Sequence, residues 1–235
     1  HEWSSITSLL NSTGIIFSKE GTIYSSTSGG LLEFNPKTEK FNFLKENTGI
    51  IYLDISSIAI DDNNRIWLGG SYPKGYLQIY DPNEGVVKNI THLDISRIKK
   101  IIIGEEKAFA VYQGSTSIEN GVLEFLLDDD GLPYYKDYYT IFSDTLITEI
   151  SDLDIFSNYL YITTNVGVYK GDTNLSLKNP LNWIQIYKGN SKQYIPGDIN
   201  YVLDDKSIKY DDGNWSKYDI ELDEYPLDSF FYNSS

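Results

Sequence analysis

The chain has 235 residues, 40% of them apolar and 14% aromatic, with a net charge of −15. That acidity argues against a nucleic-acid partner, because a phosphate-binding face needs clustered Lys and Arg. Cysteine is absent, which removes disulfides, thiolate catalysis and cysteine-based zinc sites together. No apolar run reaches the ~18 residues of a membrane-spanning helix.

Tyrosine supplies most of the aromatic content, and with Ile, Val and Thr it favours half-buried pleated surfaces. The first strand signals are residues 22–27 and, beyond Gly29-Gly30, residues 31–35, closed by Pro36. Residues 40–44 make a further strand. Asp54-Ile55-Ser56-Ser57-Ile58 then opens a second unit: a strand at 58–60, a polar turn at 61–64, and strands at 65–70, 76–80 and 86–90. A third unit opens on Asp94-Ile95-Ser96-Arg97-Ile98, with strands at 101–103, 107–112, 121–125 and 138–142. The fourth opens on Glu149-Ile150-Ser151-Asp152-Leu153, with strands at 159–164, 167–170 and 183–187. A fifth unit is degenerate. Residues 198–203 read as its inner strand and 208–218 as its outer hairpin, with the strand between them missing or compressed.

The second strand of each good unit carries an aliphatic residue or Ala followed by an aromatic: Ile23-Tyr24, Ile66-Trp67, Ala108-Phe109 and Leu160-Tyr161. Their spacing is about 43, 42 and 52 residues, in the range of one propeller blade, with an insertion in the third interval. Glycine opens the third strand by supplying the positive φ of a tight hairpin, and Asn-Pro or Asp-Pro closes it. The expected fold is therefore all-β: a β-propeller of four-stranded blades in one domain, residues 1–235. The five blades fall at roughly 5–52, 53–92, 93–147, 148–190 and 191–235. The reading favours an N-terminal part of a longer propeller, truncated at the C-terminus, over a closed circle of five.

The pattern from Ile58 through Asp61-Asp62-Asn63-Asn64-Arg65-Ile66-Trp67-Leu68-Gly69-Gly70, with Gly75 and Tyr80-Asp81-Pro82 after it, resembles the two-component-regulator propeller repeat. Asn64 stands where that repeat commonly has Gly, and both tolerate positive φ. Trp3-Ser4-Ser5, Thr22-Ile23-Tyr24 and the 160–169 strand pair resemble PorZ-like surface components of the type IX secretion system. The resemblance implies either a propeller of that kind or the carbohydrate-responsive ectodomain of a hybrid two-component sensor. It is an analogy of fold, and a fold hosts many functions.

Chemistry has little material. His1 and His92 are the two histidines, too few for a His-based metal cluster or a Ser-His-Asp machine. Asp62, Asn64 and Trp67 partly mimic a sialidase Asp-box, but Ile60 replaces its hydroxyl residue. Arg65 and Arg97 fall short of the three arginines a sialidase needs. Another glycosidase needs two carboxylates at suitable separation, and this is the enzymatic alternative. The acidic turns at 61–64, 128–131 and 211–214 suit Ca²⁺ in donor type yet lack EF-hand spacing, so hairpin turns are expected there and no cofactor.

The third unit holds Tyr134, Tyr135, Tyr138 and Tyr139 after Gly131-Leu132-Pro133. One reading packs alternate rings on the next blade. The other exposes them as an aromatic platform, large rigid rings with polar tips, for a glycan or a protein. No initiator Met precedes His1-Glu2-Trp3, so a processed product with its secretory signal removed is expected, placed outside the cytoplasm. The expected function is binding or scaffolding in the cell envelope, with a protein partner or surface glycan and no catalysis.

Overall fold

A computed structural model describes residues 11–45, 49–116, 119–205 and 207–218. They form strands throughout, with one 3₁₀ turn at Pro180–Asn182 and no α-helix among the described residues. The first sheet is β1 (Ser12–Phe17), β2 (Ile23–Thr27), β3 (Gly30–Asn35) and β4 (Lys40–Leu44). The second is β5 (Ile55–Ile60), β6 (Ile66–Gly70), β7 (Tyr76–Asp81) and β8 (Gly85–Ile90). The third is β9 (Arg97–Ile103), β10 (Lys107–Gln113), β11 (Asn120–Leu127) and β12 (Pro133–Tyr139). The fourth is β13 (Ile150–Phe156), β14 (Tyr159–Thr164), β15 (Gly167–Asp172) and β16 (Trp183–Lys188). The fifth is β17 (Ser191–Ile195), β18 (Tyr201–Asp204), β19 (Ile208–Tyr210) and β20 (Ser216–Lys217). Each sheet keeps its strands in sequence order. This is a β-propeller-type fold of four-stranded blades, as the repeat predicts.

Two compact units divide the chain. One runs to Ser117 and adds Leu123–Lys136; the other holds Ile118–Val122 and everything from Asp137 onward. In the first unit, Tyr24, Leu31 and Leu44 of the first sheet pack on Ile55, Ile66, Leu68 and Tyr80 of the second. The opposite face of the second sheet, with Trp67, Leu77 and Ile79, packs on Ile98, Ile101, Ala108 and Phe125 of the third. In the second unit, Tyr161, Val168 and Tyr187 meet Tyr194 and Val202. Strands such as β6 are buried on both faces, which explains their unbroken apolar sequence.

The innermost strand of each sheet carries a one-residue bulge, at Thr13, Ser56, Lys99, Ser151 and Lys192. A bulge swings its side chain out of the pleat, and three of these are hydroxyls that reach the following sheet. Thr13 Oγ1 donates to the Ile55 carbonyl at 3.0 Å, Ser56 Oγ to Ile98 at 2.6 Å, and Ser151 Oγ to Ser191 at 2.7 Å. In every case the acceptor is the residue just before the next bulge. Ser56→Ala and Ser151→Ala should each lose about 1 kcal/mol in urea unfolding, since each leaves a partly buried carbonyl without this donor. Wild-type stability in both variants would show that these hydroxyls do not join the sheets.

The same geometry corrects the sequence alignment. Asp94-Ile95-Ser96 sits three residues ahead of the third bulge, so Lys99, and not Ser96, is the counterpart of Ser56 and Ser151. In the third sheet the outermost strand is Pro133–Tyr139, earlier than the expected 138–142, so the tyrosines themselves form the strand. In the fifth sheet the inner strand is Ser191–Ile195, and Tyr201–Asp204 is the second strand. Ser191-Lys192-Gln193 is too polar to read as an inner strand, yet Ser191 and Tyr194 are the residues it buries.

Two hairpins share one local device. Thr27 Oγ1 donates to the Gly30 carbonyl at 2.8 Å, and Thr164 Oγ1 to Gly167 at 2.7 Å. Both glycines have positive φ, 136° and 152°. A Cβ there would lie 2.6 Å from the Leu44 carbonyl oxygen and 2.2 Å from that of Tyr187. Glycine is needed at both positions because the fourth strand's backbone passes so close.

Strand register defines the faces of the first sheet. The rows Gly14–Ser26–Leu31–Leu44 and Ile16–Tyr24–Glu33–Asn42 point toward the second sheet. The alternate rows, Ile15–Ser25–Leu32–Phe43 and Phe17–Ile23–Phe34–Phe41, point the other way. Counted from the bulge, their equivalents in the second sheet are Ile58–Leu68–Gln78–Asn89 and Ile60–Ile66–Tyr80–Val86. Those rows supply Ile58, Ile66, Leu68, Tyr80 and Val86 to the contact with the first sheet.

Candidate functional site

The most elaborate polar constellation grows from the β5–β6 hairpin. Asp61 opens its turn, and Asn64 adopts φ 61°, a left-handed conformation that asparagine tolerates. One Asp61 carboxylate oxygen accepts the backbone N–H of Asn63 and of Arg65, both at 2.9 Å. The other accepts Arg65 Nε at 2.8 Å and Trp67 Nε1 at 3.1 Å. Arg65 then donates Nη1 to the Asp130 carbonyl at 2.8 Å and Nη2 to that of Gly131 at 3.1 Å. The guanidinium thereby clamps the β11–β12 turn to the β5–β6 turn. An open cleft of about 260 Å³ lies over this clamp, lined in part by Asp62, Asn63, Glu105 and Leu127.

The acidic turns have carboxylates committed to local backbone. Asp128 Oδ1 accepts from Asp130 N and Leu132 N, repeating the Asp61 pattern. Asp211 accepts from Gly213 N, and Asp212 from Asn214 N and the Ser216 hydroxyl. These hydrogen bonds to the charged form hold the Asp212 carboxyl below its usual range, the Ser216 hydroxyl contributing most. Among the described residues, no three of His, Cys, Asp or Glu converge as a metal-binding group. His92 is exposed, and His1 lies outside the described residues.

Two further ionic groupings lie in buried or half-buried surroundings. Glu124, on β11, faces Lys136 at 3.1 Å and Lys107 at 3.4 Å. In the second unit Lys209 contacts Asp204 at 2.7 Å and donates to the Tyr187 hydroxyl at 2.7 Å, which itself donates to Asp204 at 3.0 Å. The bond to Asp204 is the main reason the Lys209 ammonium is held above its ordinary range. Nothing in the sequence pattern pointed to this triad, because its members come from three strands of two sheets.

The four tyrosines singled out by sequence lie on β12 and differ in placement. Tyr134 is 47% exposed and Tyr135 38%, the latter set edge-on against Phe125 at 6.3 Å. Tyr138 is 48% exposed, with Lys178 Nζ 5.6 Å from its ring centroid and paired to Asp137 at 2.7 Å. Tyr139 is 5% exposed and belongs to the core. Strand alternation puts Tyr135 and Tyr139 on the pleat face opposite Tyr134 and Tyr138, so the four rings do not share one surface.

Burial governs the other tyrosines. It pushes the phenols of Tyr24, Tyr76 and Tyr194 well above their ordinary range, helped by Glu33, Asp54 and Tyr161 respectively. A raised folded-state pKa stabilises the fold fully below the unfolded value of about 10, and that contribution is lost as pH climbs past it. Stability should therefore fall above about pH 10, with tyrosinate absorbance appearing in step with unfolding. Full tyrosine ionisation in a still-folded chain would contradict this.

The fold and these polar networks define a β-propeller repeat protein whose charged groups tie sheets and turns together. The sequence matches no protein-family profile and no curated protein. Among solved structures it is similar to PorZ, an essential bacterial surface component of the type-IX secretion system of Porphyromonas gingivalis. That match has TM-score 0.65 and 12% identity, over 88% of this chain and 33% of that one. It is also similar to the extracellular domain of a hybrid two-component system from B. thetaiotaomicron, with TM-score 0.54 and 13% identity over 82% of this chain and 25% of that one. A third similar structure is a gluconolactonase from Xanthomonas campestris, with TM-score 0.57 and 10% identity over 81% and 68%. At such identities the likeness is one of fold. The chain spans about a third of PorZ's length.

Proposed function

We propose that this chain is a non-catalytic recognition propeller of the cell envelope, a PorZ-like module that holds a protein partner or a surface glycan outside the cytoplasm. The observation that carries the reading is the contrast between the two kinds of polar residue. Buried or half-buried carboxylates such as Asp61, Glu124 and Asp204 are engaged by Arg or Lys in packing roles. The exposed aromatic side chains with recognition chemistry include Tyr134 on the first unit and Tyr138 on the second. Rigid rings with polar tips suit glycan faces and protein hot spots. Tyr138 adds a neighbouring ammonium and carboxylate, Lys178 and Asp137, as hydrogen-bonding partners.

A second reading is the ligand-sensing ectodomain of a two-component regulator, supported by the similar extracellular domain from B. thetaiotaomicron. Both readings place the activity in binding. Screening the chain against an array of bacterial surface glycans and an envelope-protein fraction tests them together. Tyr134→Ala or Tyr138→Ala should weaken the binding found by about tenfold, the size of an aromatic contact at a hot spot. Binding indifferent to both substitutions would overturn the role assigned to β12.

A further inference from the structure

Three hairpin turns of the first unit follow one plan. Ser18, Asp61 and Gly104 each come directly after an innermost strand, and each donates its N–H to the carbonyl that closes its turn: Thr22 at 2.9 Å, Arg65 at 3.0 Å and Lys107 at 2.8 Å. The next residues, Lys19, Asp62 and Glu105, are therefore equivalent. Lys19 reaches from the first turn to the second. Its ammonium donates to the Asp62 carbonyl at 2.6 Å and lies 3.5 Å from the Asp62 carboxylate. Its N–H donates to Asn64 Oδ1 at 3.0 Å, and Asn64 Nδ2 donates to Glu20 at 2.9 Å. Between the second turn and the third, the equivalent pair is Asp62 and Glu105, both exposed carboxylates. Where the first pair is bridged by an ammonium, these two line the open cleft of about 260 Å³. Arg65 lines it too, but its nitrogens are taken by Asp61 and by the Asp130 and Gly131 carbonyls.

We infer that this cleft receives a lysine side chain of a protein partner, with its ammonium at Asp62 and Glu105 and its methylenes along Ile60, Ile103 and Leu127. The repeat itself selects the ligand. An ammonium already occupies the equivalent contact one sheet earlier, and Asp62 is already its acceptor. Ile60, Ile103 and Leu127 supply an apolar wall to the same cleft, which suits a side chain that buries its stem and keeps its charged head in water. A divalent cation would want about six to eight oxygen ligands and would leave that wall unused. The inference rests on the reading of the chain as a binding module, yet on residues other than the tyrosines of β12.

The test is a titration of the whole ¹⁵N-labelled chain with the peptide acetyl-Gly-Gly-Lys-Gly-Gly-amide, read from backbone amide shifts. One lysine at an exposed carboxylate pair should bind with Kd of about 1 mM. The shifts should concentrate at residues 60–65, 103–107 and 127–131, and the same peptide with its lysine acetylated should produce none. Asp62→Asn/Glu105→Gln should weaken binding at least about tenfold, whereas Glu84→Gln/Glu149→Gln, which removes equal charge from exposed positions elsewhere, should not. Glu105→Lys supplies the ammonium from the chain itself, as Lys19 does, and should abolish peptide binding. All these positions are exposed, so amide spectra outside the three turns should match the wild type. Tyr134→Ala and Tyr138→Ala should leave the titration unchanged, which separates this site from the role assigned to β12. Shifts scattered over the acidic surface would overturn the inference, as would equal losses in the two double variants. So would a response at these turns to calcium chloride and not to the peptide.

Discussion

Replacing Trp67 by alanine should remove about 3–5 kcal/mol of stability, the cost of emptying a large buried aromatic site. Trp67 has no exposed surface and packs with Leu77, Ile79, Ile98 and Phe125 where the second and third sheets meet. Its indole N–H also completes the set of donors around Asp61. Trp67→Phe separates these contributions. It keeps most of the volume, loses one hydrogen bond, and should cost nearer 1–2 kcal/mol. Urea unfolding followed by circular dichroism measures both, and an alanine variant within 1 kcal/mol of wild type would mean that the sheets do not meet around this ring.

The neighbouring aspartates give the second large effect, and a sharp contrast. Asp61→Ala strips the Arg65 guanidinium of its carboxylate in a site where both side chains are about nine-tenths buried. Losing one partner of a buried pair costs about 3–5 kcal/mol, because the remaining charge is left uncompensated. The carboxylate also organises its own turn, so the effect should lie toward the upper end. The Asp62 side chain is fully in solvent and its carboxylate lies 3.5 Å from the exposed Lys19, so Asp62→Ala should change stability by less than about 0.5 kcal/mol. Removing both charges, Asp61→Leu with Arg65→Leu, should recover part of the single-variant loss. Equal effects at 61 and 62 would remove the clamp from the account.

The repeat was legible because its signals are local. An aliphatic-aromatic strand such as Ile66-Trp67, a glycine before the third strand and a proline after it are all written within a few residues. The hidden features are those made across sheets. Ser56 and Ser151 could be seen to recur, but their function at a bulge depends on a carbonyl about forty residues further on. The alignment at Ser96 went astray for the same reason. Lys99 holds the bulge there, and a lysine does not resemble the serine it replaces. The inner strand of the fifth sheet was missed because Ser191-Lys192-Gln193 has no apolar pattern of its own.

The candidate site was half legible. Composition removed cysteine chemistry, left two histidines and drew attention to the tyrosines. It could not assign them to faces, since that required knowing that β12 starts at Pro133. Once the strand is placed, alternation separates Tyr134 and Tyr138 from Tyr135 and Tyr139. Asp61 read as part of an acidic hairpin turn and Arg65 as the start of the next strand, and the partners that make Arg65 a clamp lie at Asp130 and Gly131, far along the chain.

Recognition without chemistry is the central claim, and one measurement addresses it directly. The chain is incubated with a panel of oligosaccharides and aldonolactones, and the mixtures are followed by mass spectrometry alongside binding by calorimetry. The account predicts that any glycan bound is recovered with its mass unchanged. Hydrolysis of a glycosidic bond, or ring opening of a lactone at a rate above the buffer control, would contradict it.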